Sequence, residues 1–324
     1  MKALNLNSRE QDLRDYLRNA FAMPTLLDIV ALNGTDAAVG LIEEARLAAA
    51  KTIRGLNYKT KVRTAVPAVG FRTSGQGTAV DHSAFEQRTI ECYLLNPIFE
   101  VDKADADAYE EGAAAFLALE ALGITQGAFQ ALGTAFFYGD DATFGKSNAF
   151  PGLLQAHDST NMVVDAGGTT DDKASSVWAV RFGPQDVQWV LGEGGRVEVT
   201  DPVEVRLTDA NGNPYTGYHQ ELYLRPGLQV GSVYSVGRIK KLTTDSGKGL
   251  TDDLLDELLE KFPAGRPPNA IFMSRRSRRQ LKNSRTATSP TGAPAPWPDT
   301  IDGPEGPIPI FTTDSIRNDE KLAL

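Results

Sequence analysis

The sequence predicts a mixed fold of the α+β class, on three observations. Residues 105–138 form a long stretch dominated by alanine, leucine and phenylalanine, which favours helix. Residues 58–102 alternate polar and apolar positions with the period of two that marks half-exposed strands. Residues 176–241 are rich in short strands, and 246–324 then switch to helix, strand, helix, loop, strand. These changes of character divide the chain into four segments: 1–54, 55–104, 105–245 and 246–324.

Phe116, Leu119, Leu122, Phe129, Leu132 and Phe136 recur at helical spacing in the long stretch. Asp105 and Asp107 fall in its first turn, with Glu110 and Glu111 after them, where negative charge suits the helix dipole. Gly139 is a stop signal. A helix of roughly 30 residues would be about 45 Å long, and Gly123 with Thr125 marks a place for a kink or a split. Two readings stand: a buried core helix, or a spine against which extended segments lean.

Segment 1–54 reads as helices with a break. Leu13, Leu17 and Phe21 share a face, Pro24 interrupts, and a helix capped by Thr35 or Asp36 runs through Leu41, Ile42 and Leu47 to Ile53. It is an arm or a small helical subdomain. In segment 55–104, Tyr58, Thr60, Val62, Thr64 and Val66 alternate with Lys59, Lys61 and Arg63. Gly70, Ser74, Gly75 and Gly77 supply turn chemistry. The return limb, 88–102, carries strand formers, and Glu86, Glu91, Glu100 and Asp102 supply acids to pair with the basic limb. Such a hairpin would reach roughly 50 Å. It is a sheet edge or an arm lying on a neighbouring subunit, and Pro67 and Pro97 suit an edge.

Further on, Asn211-Gly212 signals a hairpin. Trp178, Trp189 and Tyr234 read as core aromatics rather than a ligand platform. Helix 250–262 is capped by Thr251 and turns Leu254, Leu255, Leu258, Leu259 and Phe262 inward. The proline-rich loop 286–303 leads to a closing strand.

Composition excludes several functions. The chain has 324 residues, 33 basic against 42 acidic, and a net charge of −9, which disfavours a dedicated nucleic-acid binder. There is no run of about 18 apolar residues, so no membrane span is expected, and the N-terminus lacks the apolar stretch of a signal peptide. Cys92 is the single cysteine, so no intrachain disulfide can form. It alternates with Ile90 and Leu94 and reads as a reduced, buried thiol.

No catalytic residue, cofactor site or metal site is identified. His82, His157 and His219 stand apart, without metal-ligand spacing. The tract from Gly139 to Lys146 superficially resembles a phosphate-binding loop, but five residues rather than four separate Gly139 from Gly145, and Asp140, Asp141 and Phe144 would crowd and repel phosphate. Asp140-Asp141 and Asp171-Asp172 lie in polar loops. The basic run Arg275, Arg276, Arg278, Arg279, Lys282 and Arg285 reads as a solvated or subunit-pairing face, with a nucleic-acid patch as the alternative.

The order of these parts resembles tailed-bacteriophage major capsid proteins with the HK97 fold. The resemblance rests on Phe136-Phe137-Tyr138-Gly139-Asp140 at the end of the long helix and on Phe150-Pro151-Gly152-Leu153-Leu154 after the loop. It rests also on Asn269-Ala270-Ile271-Phe272-Met273-Ser274 before the basic helix, on Gly306-Pro307-Ile308-Pro309-Ile310, and on Thr312-Thr313-Asp314-Ser315-Ile316. It implies an N-terminal arm over 1–54, an extended hairpin loop over 55–104, a peripheral domain with spine helix over 105–245 and an axial α/β domain over 246–324. It also implies a permuted order, because the strands matched to the periphery precede the axial block.

Functionally, the resemblance implies a structural protein rather than an enzyme. Such a protein self-assembles as hexamers and pentamers into an icosahedral head around double-stranded DNA. Its implied partners are its own copies, a separate scaffolding protein, a portal protein, optionally a decoration protein, and DNA by non-specific proximity, with no membrane. Its implied location is the virion capsid, assembled in the bacterial host's cytoplasm. The lysine crosslinking known in some relatives is not carried over, since Lys59 and Lys61 lie near the hairpin base. The alternatives are an encapsulin-like compartment shell and a soluble enzyme with an unrecognised site.

Overall fold

The computed structural model describes residues 51–322 except 66, 78–79, 157–160, 196 and 290–291. The expected helical arm up to residue 50 and His157 lie outside the described residues. The helix expected to reach Ile53 does not: β1 (Lys51–Thr52) is a strand, parallel to β7 (Val187–Leu191). The Ile53 amide extends that contact by donating to the Leu191 carbonyl at 2.9 Å.

β2 (Asn57–Ala65) and β3 (Ala84–Glu91) form a two-stranded antiparallel hairpin. Nine residues of strand span about 30 Å, less than the expected reach. The return limb is divided. The Cys92 amide still bonds the Leu56 carbonyl, but the Tyr93 amide already bonds Pro226. Beyond it, β4 (Ile98–Asp102) pairs with β10 (Pro214–Leu224), so 92–102 belongs to the body and not to the hairpin. The expected acid–base pairing across the limbs is absent from the register: Lys59 faces Thr89, Lys61 faces Gln87 and Val62 faces Glu86. Glu86 instead meets Arg88 of its own strand at 3.4 Å.

The stretch expected as one helix from 105 to 138 is two. α1 (Lys103–Asp107) is capped by Asp102, whose carboxylate accepts the Ala104 amide, and α2 (Ala113–Tyr138) follows Gly112 at φ 94°. A positive φ suits glycine, so the break falls there. Gly123 and Thr125 sit inside α2, with the Thr125 hydroxyl bonded to the Ala121 carbonyl one turn back. By length and mean hydropathy α2 could cross a membrane, which the sequence reading did not anticipate. In this fold its last turns, Phe129 to Tyr138, are core, and Leu117 and Ala121 pack with Phe99 of β4. After α2 comes a single short turn of helix, α3 (Leu153–Ala156).

The central layer is a six-stranded sheet in the order β14-β15-β13-β6-β12-β5. It combines β5 (Val163–Asp165), β6 (Ser175–Val180), β12 (Val236–Leu242), β13 (Ala270–Met273), β14 (Thr300–Gly303) and β15 (Gly306–Thr312). Successive strand residues face opposite ways, and here both faces are covered. Trp178, Val180 and Phe272 face the aromatic end of α2, where Phe136, Phe137, Phe182 and Trp189 gather. The ring centroids of Phe137 and Phe272 are 5.8 Å apart. Val177, Ala179, Ile271 and Met273 face α4 (Asp252–Glu260) and α5 (Arg275–Thr288), with Leu255, Leu258, Leu259, Phe262 and Leu281. Thr251 caps α4, its hydroxyl accepting the Leu254 amide at 3.4 Å. Tyr234, expected in a core, lies exposed in a short turn.

The strands of 176–242 do not form one layer. β6 and β12 join the C-terminal block. β7 and β11 (Pro226–Val230) form a small sheet with β1. β10 runs between β4 on one side and β8 (Val197–Val199) and β9 (Val203–Thr208) on the other. The boundary drawn at 245/246 falls between strands that share one six-stranded sheet, so the strands of 176–242 do not form a layer of their own. The β9–β10 hairpin turns at Asn211-Gly212, as the sequence indicates, with Gly212 at φ 86°.

Cys92 is buried, with Sγ 3.8 Å from the Val190 carbonyl, and burial pushes its thiol pKa up. Leu94, expected on the same apolar face, is exposed. Cys92→Ser is expected to lower stability by about 1 kcal/mol, because the hydroxyl is poorly matched to that site. Chemical denaturation would measure the loss. Non-reducing gels should look alike for parent and variant; a covalent dimer that disappears with the substitution would contradict the buried-thiol assignment.

Candidate assembly surface

The hairpin is fixed at its root and unsupported at its tip. At the root, backbone bonds join Cys92 to Leu56, Tyr93 to Pro226 and Glu193 to Gly55, and Leu95 and Leu224 exchange a pair. Gly227 is forced to be glycine there: a Cβ would lie 2.7 Å from the Glu91 carbonyl oxygen. A side-chain cluster braces the same region, with the Tyr223 hydroxyl donating to Glu193 Oε2 at 2.9 Å and Arg225 Nε 2.8 Å from Glu193 Oε1.

At the tip, Asp81 clamps the two limbs. Its carboxylate accepts the Ala68 amide at 2.6 Å and the His82 amide at 2.8 Å. Those two N–H groups, Ala68 first, hold its pKa below the usual carboxylate range. The Arg72 guanidinium donates to the Gln76 carbonyl and Gly75 turns the chain at φ 88°. The tip is therefore shaped, yet its apolar side chains have no seat among the described residues: Val69 is 91% exposed, and Phe71 and Val80 are equally open.

A second open surface runs along α2. Leu119 and Leu122, which recur at helical spacing with Phe129, Leu132 and Phe136, are 56% and 40% exposed. They continue into Gly123, Gly127 and Gln130, all exposed and on one side of the helix. A Cβ added at Gly123 or Gly127 would meet nothing within 4 Å. The stripe is thus apolar at one end and flat at the other. Sequence periodicity could not separate it from the core stripe, because Leu119 and Leu122 recur at the same helical spacing as the buried Phe129, Leu132 and Phe136.

The other candidates are absorbed by the fold. The loop after α2 interlocks three glycines. A Cβ at Gly139 would come within 2.3 Å of the Gly152 amide nitrogen, and one at Gly145 within 2.4 Å of the Asp141 nitrogen. The Lys146 amide bonds the Gly139 carbonyl at 2.8 Å, and Asp141 Oδ1 accepts the Thr143 and Phe144 amides, so the loop's amides are turned inward rather than towards a phosphate. Asp140 accepts the Gln155 side-chain amide, and Asp171 accepts the Leu322 amide.

The basic run on α5 is largely paired within the subunit. Arg275 meets Asp314, Arg278 meets Asp299, Arg285 meets Asp252 and Lys282 lies 4.6 Å over the Trp297 ring. Those acids are distant in sequence, which is why the run reads as a free patch there. His219 Nδ1 is 3.3 Å from Glu100 Oε1 across β10 and β4, and His82 lies in the exposed tip.

Two open surfaces on a packed frame suit assembly. The family model for major capsid protein GP7 matches residues 42–322. The chain belongs to the major capsid protein GP7 family. A chain in the structure of bacteriophage epsilon15 has the same fold, with a TM-score of 0.59 and 20% identity over 84% of this chain and 87% of that one. The bacteriophage JBD30 capsid matches with a TM-score of 0.48 and 10% identity over 82% and 88%, and the JBD30 procapsid with 0.44 and 10% over 97% and 100%. No curated protein matches by sequence. The fold is the HK97-type capsid fold, and this member of the GP7 family is a structural protein of the bacteriophage capsid, associating with its own copies in the shell.

Proposed function

We propose that copies of this chain assemble as hexamers and pentamers into an icosahedral head around double-stranded DNA, in the cytoplasm of a bacterial host. The observation that carries this reading is the hairpin, rooted by backbone bonds and tipped by Val69, Phe71 and Val80, which nothing among the described residues covers. Extended segments of this kind gain their apolar contacts only on another molecule. The role is architectural and not enzymatic, and the partners are a scaffolding protein, a portal protein and, at the outer surface, a decoration protein. With a net charge of −9 the chain holds DNA by enclosure and not by a basic footprint. Co-expression with the scaffolding protein, followed by sedimentation and negative-stain microscopy, should show closed particles. Persistent monomers under those conditions would refute the reading, and particles filled with a protein cargo would make the shell a compartment rather than a phage head.

A further inference from the structure

The segment 313–322 is held in an unusual way. Its one large apolar side chain in the core is Ile316, and the rest of its attachment is polar. Glu320 is 1% exposed and Arg238 of β12 is 3% exposed, and they form a buried ion pair at 3.4 Å. Glu320 Oε1 accepts the Tyr138 hydroxyl at 2.5 Å and Oε2 accepts the Ser176 hydroxyl at 2.6 Å, while Arg238 Nε donates to the same serine at 3.0 Å. The Glu320 backbone exchanges a pair of hydrogen bonds with Ala174. The Tyr138 hydroxyl also accepts the Arg317 amide at 2.9 Å. Ser175 donates to the Arg317 carbonyl, and Ser274, the cap of α5, donates to the Asn318 side chain at 2.8 Å.

These contacts gather four elements at one point: the last residue of α2, the central strands β6 and β12, and the start of α5. Around them, α2 meets the sheet through aromatic packing of Phe136 and Phe137 on Trp178, Phe182 and Phe272. The hydrophobic part of that packing is non-directional. The bonds through Tyr138 are directional and short. A buried ion pair is an all-or-none feature, because removing one partner strands the other without a counter-charge.

We propose that residues 313–322 are a clasp that seats as a unit on Glu320 and fixes the end of α2 against the six-stranded sheet. Releasing it lets the helix shift on that sheet while both stay folded. On the shell reading proposed above, a clasp of this kind would let one subunit fold serve positions of different curvature; the clasp itself does not depend on that reading.

The test is hydrogen exchange on the full chain with Tyr138→Phe, which removes the hydroxyl shared by Glu320 and Arg317 but leaves the ring and every charge pair in place. Exchange over 313–322 and the last turn of α2 is expected to accelerate about tenfold, with β13, β15 and α4 little changed, since sub-global opening is a local equilibrium. Glu320→Gln, which keeps an oxygen for Tyr138 but removes the charge facing Arg238, should release the same residues. If exchange rises in step across the whole sheet, 313–322 is ordinary core and the proposal fails. It fails equally if 313–322 stays protected in both variants. Neither result depends on whether shells form.

Discussion

Replacing Phe71 through Val80 with an Asn-Gly turn is expected to leave a soluble, folded subunit that no longer forms stable shells. The subunit should tolerate the change because the tip contributes nothing to either large core: Val69, Phe71 and Val80 are exposed, and the tip's hydrogen bonds are made within the tip itself. Surface changes of this kind usually alter stability by about 0.5 kcal/mol or less, and a two-residue Asn-Gly turn suits a hairpin. The root would keep its backbone bonds to Pro226 and Leu224. Assembly is a different matter. Fully burying one large apolar side chain contributes roughly 1.5–3 kcal/mol, so losing Phe71 and Val80 from every subunit weakens each contact in the shell together. Circular dichroism should show an unchanged fold, and sedimentation should show the loss of particles. Normal, equally stable shells would mean that the hairpin is not an intersubunit arm. Failure to fold would place the tip in the subunit's own core.

The parts legible in the sequence were those whose signal is local. Thr251 followed by the leucines of α4 reads correctly because cap and stripe lie within three turns. Asn211-Gly212 reads correctly because a hairpin turn is set by two residues. What could not be read is which strand pairs with which. β6, SSVWAV, is buried at every position, so it carries no alternation to show its two faces, and its neighbours β12 and β13 lie about 60 and 90 residues away. The return limb of the hairpin fails for the same reason. Residues 88–95 are mostly strand formers with no break before Asn96-Pro97, and only the transfer of hydrogen bonds from Leu56 to Pro226 decides where the hairpin ends and the body begins. At the assembly surface, the tip's glycines and polar residues pointed to a turn without a core role. The α2 stripe did not stand out, since Leu119 and Leu122 share the spacing of buried residues and differ from them only in what the rest of the chain leaves uncovered.

Gly152→Ala is expected to destabilise the subunit more than any surface change, and Gly123→Ala is its control. A Cβ at residue 152 would stand 2.4 Å from the Gly139 nitrogen and 2.6 Å from the Ala135 carbonyl oxygen, both backbone atoms at the end of α2. No side chain can swing aside to make room, so the helix end and the loop must separate. Overpacking a close-packed site costs about 1–3 kcal/mol, with larger values where backbone must move. Separation here would also disturb Tyr138, Phe144, Phe150 and Leu153, all in the main core. For domains of this general size each kcal/mol lowers the melting temperature by about 2–4 °C, so a fall of roughly 5 °C or more is expected in a thermal melt, with insoluble protein as the extreme. Gly123 lies inside the same helix with open space around it, and alanine there should raise stability by up to about 1 kcal/mol through helix propensity. The opposite signs separate a glycine required by packing from one that is merely helical. If Gly152→Ala melts with the parent, the loop is not interlocked with the helix. Its glycines would then be free for another purpose, and the anion-binding role set aside for the tract from Gly139 to Lys146 would have to be tested directly.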